Sequence, residues 1–297
     1  MMDESAPADD VWTVQRILAW TSDYLAKCGI EAARLEAELL CAHARECQRI
    51  RLYTDYDVPM TDGERARMRQ YVQRRAAREP LAYITGKREF YGRNFEVGSG
   101  VLIPRPETET LIDLALERIP DDRQSRFFEV GFGSGCVAIT LAIQKPKCRI
   151  TASDISDVCC GFAQRNAVRH GVTDRVRFVE GDCLNPAVQN PSDSKYDGVV
   201  SNPPYVCDHE LADLQPEVAD HEPQHALLSG GDGLDLIRRL IPDSVEVLKP
   251  GGWIGLECDP QQCSSVVQMM TNAGFINPQI HRDHRDVDRI VTAVNGK

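Results

Sequence analysis

Apolar positions follow one rhythm up to about residue 80 and another after about residue 126. In the first stretch Val11, Val14, Ile17, Leu18 and Leu25 recur at helical spacing. A second run, Ala32 to Cys47, sets Leu35, Leu39, Leu40 and His43 on one side. Thr61 or Asp62 can cap a third helix running to about Arg78. This pattern predicts a small helical bundle over 1–80. Glu79-Pro80 ends it, because proline cannot continue a helix. Phe90 to Val97 reads as two short strands around a Gly92-Arg93-Asn94 turn, within a linker over 81–104. Pro104 and Pro106 then force an extended approach, with Pro106 suited to the first turn of a helix through Leu116. Glu107 and Glu109 fall near that helix's positive end.

The second rhythm, within a domain over 105–297, alternates short apolar runs with helical ones. Strands are predicted at Phe127–Val130, Arg149–Ser153, Val176–Glu180, Tyr196–Ser201 and Trp253–Cys258. Helices fall between them at Cys136–Ile143, Asp157–His170 and about Gly233–Leu248, and Lys249–Gly252 is read as a turn. Such alternation implies βαβ units and a mostly parallel sheet with helices on both faces. Ligands of these sheets bind beyond the carboxyl ends of the strands. Here those ends carry Gly131–Gly135, Asp154, Asp182 and Asn202.

Each of these four has a chemical reading. The turn is Gly131-Phe132-Gly133-Ser134-Gly135, where glycines let backbone approach a ligand closely. Cys136 follows, so the Gly-x-Gly-x-x-Gly dinucleotide pattern is not met. The tighter spacing suits S-adenosylmethionine, which has no pyrophosphate to bind. Asp154, about 20 residues on, suits ribose hydroxyls. Asp182 suits the exocyclic amine or ring edge of a base. Asn202-Pro203-Pro204-Tyr205 is a stiff loop, since both prolines fix φ. The Asn202 side-chain oxygen and the Pro203 carbonyl can both accept from a planar –NH2 group, and Tyr205 offers a flat ring beside it. The Asn202 loop alone does not separate a base amine from a carboxamide.

Charge and composition narrow the classes. A net charge of −11 over 297 residues argues against general nucleic-acid binding. Arg65, Arg67, Arg69, Arg74, Arg75 and Arg78 nevertheless crowd one helix, as a solvated face or a docking face. The 11 cysteines show no Cys-x-x-Cys, and neither a metal site nor a disulfide framework emerges. His209, His221 and His225 are read as solvated loop histidines. The acidic start, Met1 to Asp10, lacks the features of a signal peptide. No run approaches the ~20 apolar residues that span a bilayer. A cytoplasmic, monomeric protein without membrane contact is expected.

Two segments together carry a family resemblance. Asn202-Pro203-Pro204-Tyr205 resembles the signature of methyltransferases that act on planar amide or amine nitrogens. Leu102-Ile103-Pro104-Arg105-Pro106-Glu107-Thr108-Glu109 resembles the segment before the catalytic core in the HemK/PrmC family, the protein-glutamine methyltransferases of peptide chain release factors. Phe90-Tyr91-Gly92, Glu129 to Ile139, Glu222-Pro223, Gly230 to Leu234, and Asp283 with Asp288 to Val291 extend the likeness over nearly the whole chain. Phe132 stands where threonine is usual and makes the wall of the cofactor pocket bulkier. Glu129 stands where aspartate is commoner, and Cys258-Asp259 where Ile-Gly is usual.

The resemblance implies a Rossmann-like class I S-adenosylmethionine-dependent methyltransferase. Its sheet would be seven-stranded and mostly parallel, preceded by a helical bundle that recognises substrate and by a β-hairpin linker. It implies cofactor contacts at Glu129, Gly131, Phe132, Gly133, Gly135, Asp154, Asp182, Cys183, Asn202, Arg105, Pro106 and Thr108. It implies substrate contacts at Asn202, Pro203, Pro204 and Tyr205, of which Asn202, Pro203 and Tyr205 are catalytic. The methyl acceptor it implies is the glutamine of a Gly-Gly-Gln motif, and the product S-adenosyl-L-homocysteine. A DNA or RNA amino-methyltransferase is the alternative, and a non-catalytic cofactor-binding adaptor is a third reading.

Overall fold

A computed structural model of the chain describes residues 11–188 and 195–297; the acidic start, Met1 to Asp10, lies outside them. They divide into two units between Gly86 and Lys87.

The first unit holds α1 (Val14–Lys27), α2 (Ala33–Ala44), the single turn α3 (Arg51–Thr54), α4 (Asp62–Ala76) and the short α5 (Leu81–Thr85). Residues 81–85 of the predicted linker are thus helical. Val14, Leu18, Leu25, Leu40, Met68 and Val72 make the core. Thr61 starts α4 with a reciprocal cap: its Oγ1 accepts from the Glu64 amide at 3.2 Å, and Glu64 Oε2 accepts from the Thr61 amide at 2.7 Å. The arginines of α4 are largely spent inside the unit. Arg75 is 4% exposed and lays its guanidinium on Glu36. Arg67 donates to the Ala44 carbonyl, Arg74 pairs with Glu79, and Arg78 donates to the Gly29 carbonyl. These four are struts rather than a solvated or docking face.

The second unit begins with the hairpin of β1 (Lys87–Phe90) and β2 (Arg93–Glu96). Its turn is Tyr91-Gly92, not the expected Gly-Arg-Asn. Both turn residues have positive φ, 51° and 71°, the form that matches the twist of paired strands. Helix α6 (Thr108–Arg118) follows. Next come β3 (Ser125–Val130), α7 (Cys136–Gln144), β4 (Cys148–Asp154), α8 (Asp157–His170), β5 (Val176–Glu180), the turn α9 (Asn185–Val188) and β6 (Tyr196–Ser201). After an insertion containing α10 (Pro216–Ala219), the chain runs through α11 (Asp235–Val247), β7 (Leu248–Glu257), α12 (Cys263–Ala273), β8 (Phe275–Arg282) and β9 (Asp288–Asn295). Lys249–Gly252, expected to be a turn, lies inside β7, where the pairing with β6 shifts register.

The sheet order is β5-β4-β3-β6-β7-β9-β8, seven strands of which only β9 runs against the rest. Helices α6, α7 and α8 bury one face and α9, α11 and α12 the other, each with its own apolar cluster. Leaving β3 the chain winds outward through β4 and β5, then returns to β6 on the other side of β3. The strand order reverses between β3 and β6, which places the crevice at their carboxyl ends. No helix among the described residues is long and apolar enough to cross a membrane.

Candidate active site

Register builds the site. Ser153 on β4, Val130 on β3, Ser201 on β6 and Leu256 on β7 lie in one row across the sheet. The next residues along are Asp154, Gly131, Asn202 and Glu257, so four polar or glycine positions emerge side by side. Two bonds seal the row below them. Ser201 Oγ donates to the Val130 carbonyl at 2.7 Å, and the Gly131 amide donates to the Ser153 carbonyl at 2.8 Å.

Two cavities open here. One, of about 370 Å³, is lined by Glu129, Gly131, Phe132, Gly133, Asp154, Asp182, Cys183, Asn202, Arg105 and Thr108, among others. That volume falls in the range of small-molecule sites. The other, of about 540 Å³, is lined by Pro203, Tyr205, Glu210, Asp213 and Asp259 among others. Leu102, Arg105, Asn202 and Ala226 line both. Asn202 therefore stands where the two meet.

The first cavity draws on most of the predicted residues. Asp154 Oδ2 accepts from the Gly133 amide at 2.9 Å and Oδ1 from the Ser156 amide at 3.0 Å, which fixes the carboxylate at the rim. Asp182 is exposed, and its Oδ2 is held by Arg239 at 2.5 Å. Phe132 borders the cavity, but its ring is 2% exposed and packs at 4.8 Å from Phe178 in the core. Pro106 and Gly135 do not line the cavity. Pro106 is exposed before α6. Gly135 lies beneath, at φ 78°, where a Cβ would come within 2.9 Å of Phe178.

Glu129 is 2% exposed. Burial pushes its pKa up to about 8; the Ala138 amide donating at 2.9 Å opposes this and the charge of Asp154 adds to it. No cation pairs with it among the described residues. A ligand carrying an ammonium group would supply the missing charge, so the residues fit the amino-acid end of the cofactor the sequence suggested.

Around Asn202 lies a network that the sequence did not reveal. Asn202 Nδ2 donates to Thr108 Oγ1 at 3.0 Å, and Thr108 donates to Glu257 Oε2 at 2.7 Å. Tyr205 donates to Glu257 Oε1 at 3.4 Å. Glu257 is fully buried, and burial pushes its pKa up to about 7. Burial, then the neighbouring Glu257, raises Tyr205 above the usual phenol range. Gln262 donates to the carbonyls of Tyr205 and Asp232, at 2.8 and 2.9 Å, tying the loop to α12. Glu222 of the insertion accepts from the Ile103 amide at 3.1 Å and from Arg105 at 2.6 Å. An acid after the apolar run Trp253–Leu256 was the available sign of Glu257, since four other strands end in candidate site residues.

Comparison with known proteins bears on the family and the fold. Residues 16–86 match the family described as the PrmC N-terminal domain, and 110–232 that of the methyltransferase small domain. A release factor glutamine methyltransferase of Geobacter sulfurreducens is 42% identical over 95% of this chain and 96% of its own. One of Bacillus subtilis is 35% identical over 95% of this chain and 98% of its own. Among solved structures, the catalytic domain of hMettl16 in complex with a 3′UTR hairpin superposes with a TM-score of 0.57 at 17% identity, covering 76% of this chain and 82% of that one. A methyltransferase of Pyrococcus furiosus gives 0.51 at 15%, covering 77% and 98%. The last two share the fold alone.

Proposed function

The chain belongs to the release factor glutamine methyltransferase family, and on that premise we propose its reaction: methyl transfer from S-adenosyl-L-methionine to the side-chain amide nitrogen of the glutamine in the Gly-Gly-Gln motif of peptide chain release factors. The observation that carries the reading is Asn202 at the junction of the two cavities.

In this reading Glu129, Gly131, Phe132 and Gly133 hold the amino-acid end of the cofactor, with Gly135 shaping the turn below. Asp154 takes the ribose, and Asp182 and Cys183 the base. Arg105, Pro106 and Thr108 close the rim. When bound, the cofactor supplies an electrophilic methyl group on a sulfonium and leaves as S-adenosyl-L-homocysteine.

A carboxamide nitrogen is a weak nucleophile, its lone pair delocalised into the carbonyl. Orientation and electrostatics are therefore the levers. Asn202 spends its Nδ2 on Thr108, which leaves Oδ1 as its acceptor for the substrate. The Pro203 carbonyl is a second acceptor, and Pro203 and Pro204 stiffen both. Two acceptors on one –NH2 group favour the positive charge that develops on nitrogen. Tyr205 walls the acceptor cavity. A cytoplasmic location suits such a substrate.

The alternative acceptor is a nucleic-acid amine. Arg67, Arg74 and Arg75 of α4, and Arg78 just beyond its end, which would have served it, are committed within the first unit. The test uses methyl-labelled cofactor with a release factor, with the same factor carrying alanine for the motif glutamine, and with DNA and RNA. Label is expected on the first alone. Label on nucleic acid, or on the alanine variant, refutes the assignment.

A further inference from the structure

Glu257 is a carboxylate with no solvent exposure, one residue beyond the row that ends in Leu256. A buried charge is costly unless its lone pairs are filled. Two hydroxyls fill them, Thr108 at 2.7 Å and Tyr205 at 3.4 Å. Thr108 in turn meets the amide of Asn202 at 3.0 Å.

These contacts impose a direction. An ionised carboxylate only accepts hydrogen bonds, and a threonine hydroxyl has one proton to give. That proton is committed to Glu257. What Thr108 presents to Asn202 is a lone pair, and only the –NH2 end of an amide can meet it. Oδ1 is then the end left for the substrate. We propose that Glu257 is a positioning residue which, through Thr108, dictates which end of the Asn202 amide faces the substrate. The inference rests on the reading of Asn202 as the acceptor of the substrate –NH2 group.

Without a charge at position 257 the direction is lost. A neutral group there can donate to Thr108, whose proton then turns to Asn202 Oδ1. The amide reverses, and its own –NH2 faces the –NH2 of the substrate, donor against donor. The groups facing Glu257 are Arg289 from β9, Tyr205 from the loop after β6, and Glu107 at the start of α6. Arg289 favours the ionised form and Glu107 opposes it. With its pKa pushed up to about 7, Glu257 changes charge in the neutral range. Turnover should therefore rise with pH as it ionises.

The test compares Glu257→Gln, Thr108→Val and Thr108→Ser with the wild type. It measures kcat on a release factor from about pH 6 to pH 9 and cofactor Kd by calorimetry, after checking the fold by thermal melting. Glu257→Gln and Thr108→Val are expected to lose on the order of 10- to 100-fold in kcat, as for one misdirected charge-assisted hydrogen bond. For Glu257→Gln, which does not line the cofactor cavity, the cofactor Kd should stay within about threefold of wild type, a change below 1 kcal/mol. Thr108→Ser, which keeps the hydroxyl, should retain most activity. Glu257→Gln should also lose the rise through neutral pH.

Equal impairment of Thr108→Ser and Thr108→Val overturns the proposal. So does a folded Glu257→Gln with wild-type kcat or a wild-type pH profile. Should Glu257→Gln not fold, the threonine pair decides. Wild-type turnover separates the two levels: its absence overturns the assigned reaction and this inference together, whereas an active wild type with unaffected variants overturns this inference alone.

Discussion

Replacing Glu129 with glutamine should make the folded chain less sensitive to alkali. Among the described residues, Glu129 sits at 2% exposure with one hydrogen bond, from the Ala138 amide, and no cation beside it. Its folded-state pKa is raised from 4.5 to about 8. The folded chain therefore keeps this proton over a range in which the unfolded chain has lost it. The associated stability is full below the ordinary carboxylate range and is lost as pH rises to about 8. At 1.36 kcal/mol per pH unit the whole interval is worth about 4–5 kcal/mol, of which about 2–3 kcal/mol falls between pH 6 and pH 9. Glutamine keeps an oxygen for the Ala138 amide and cannot ionise. Denaturant unfolding at the two pH values gives the change for each protein. Glu257, whose folded-state pKa is raised in the same direction, contributes equally to both and cancels. The wild type should lose about 2–3 kcal/mol more than Glu129→Gln across that range. Equal losses would mean that Glu129 is already compensated in the folded chain, and the account of it as the seat of the cofactor's ammonium group would fall.

Other expectations follow from single contacts. Asn202→Ala should cut methyl transfer by on the order of 100-fold while leaving cofactor Kd within a few-fold, read by label transfer and calorimetry; a parallel loss of binding would move Asn202 out of the acceptor role. In Gly233→Ala the new Cβ would lie 2.1 Å from the Tyr205 carbonyl oxygen and 2.4 Å from Gln262 Nε2, at a φ of 71°. It should cost about 2–3 kcal/mol in unfolding and slow turnover as well, because the displaced carbonyl belongs to the loop proposed to hold the substrate; a stable, fully active variant would contradict the packing. Arg105→Ala leaves Glu222, with a side chain 1% exposed, without its ion partner. Because Arg105 is partly exposed, the expected loss is about 2 kcal/mol. Glu222→Gln, which leaves a partly exposed arginine instead, should cost less; thermal melting of both variants reads the difference, and equal losses would contradict it.

The strand ends were legible because each closes a short apolar run and opens a polar one. Gly131, Asp154, Asp182 and Asn202 could be read that way from local pattern alone. Their convergence followed from the βαβ alternation. Glu257 also closes such a run, but its meaning depends on Thr108 and Asn202. Sheet register and the start of α6 join these three residues, and neither leaves a local trace. The partners of charges were equally hidden: six arginines on one helix look alike in sequence, yet Arg75 is a buried strut. Strand β8 escaped for another reason. At the sheet edge only Phe275 of its residues is buried, so no alternation marks it. The Lys249–Gly252 segment carries the signals of a turn but is absorbed into β7, where the pairing shifts.

The most direct test of the proposed reaction is peptide mapping by mass spectrometry of a release factor before and after incubation with the chain and S-adenosyl-L-methionine. One added methyl group, confined to the glutamine of the Gly-Gly-Gln peptide and absent with Asn202→Ala, is the predicted result. An unmodified glutamine from an active preparation, or a methyl group on any other residue, would contradict the proposed reaction.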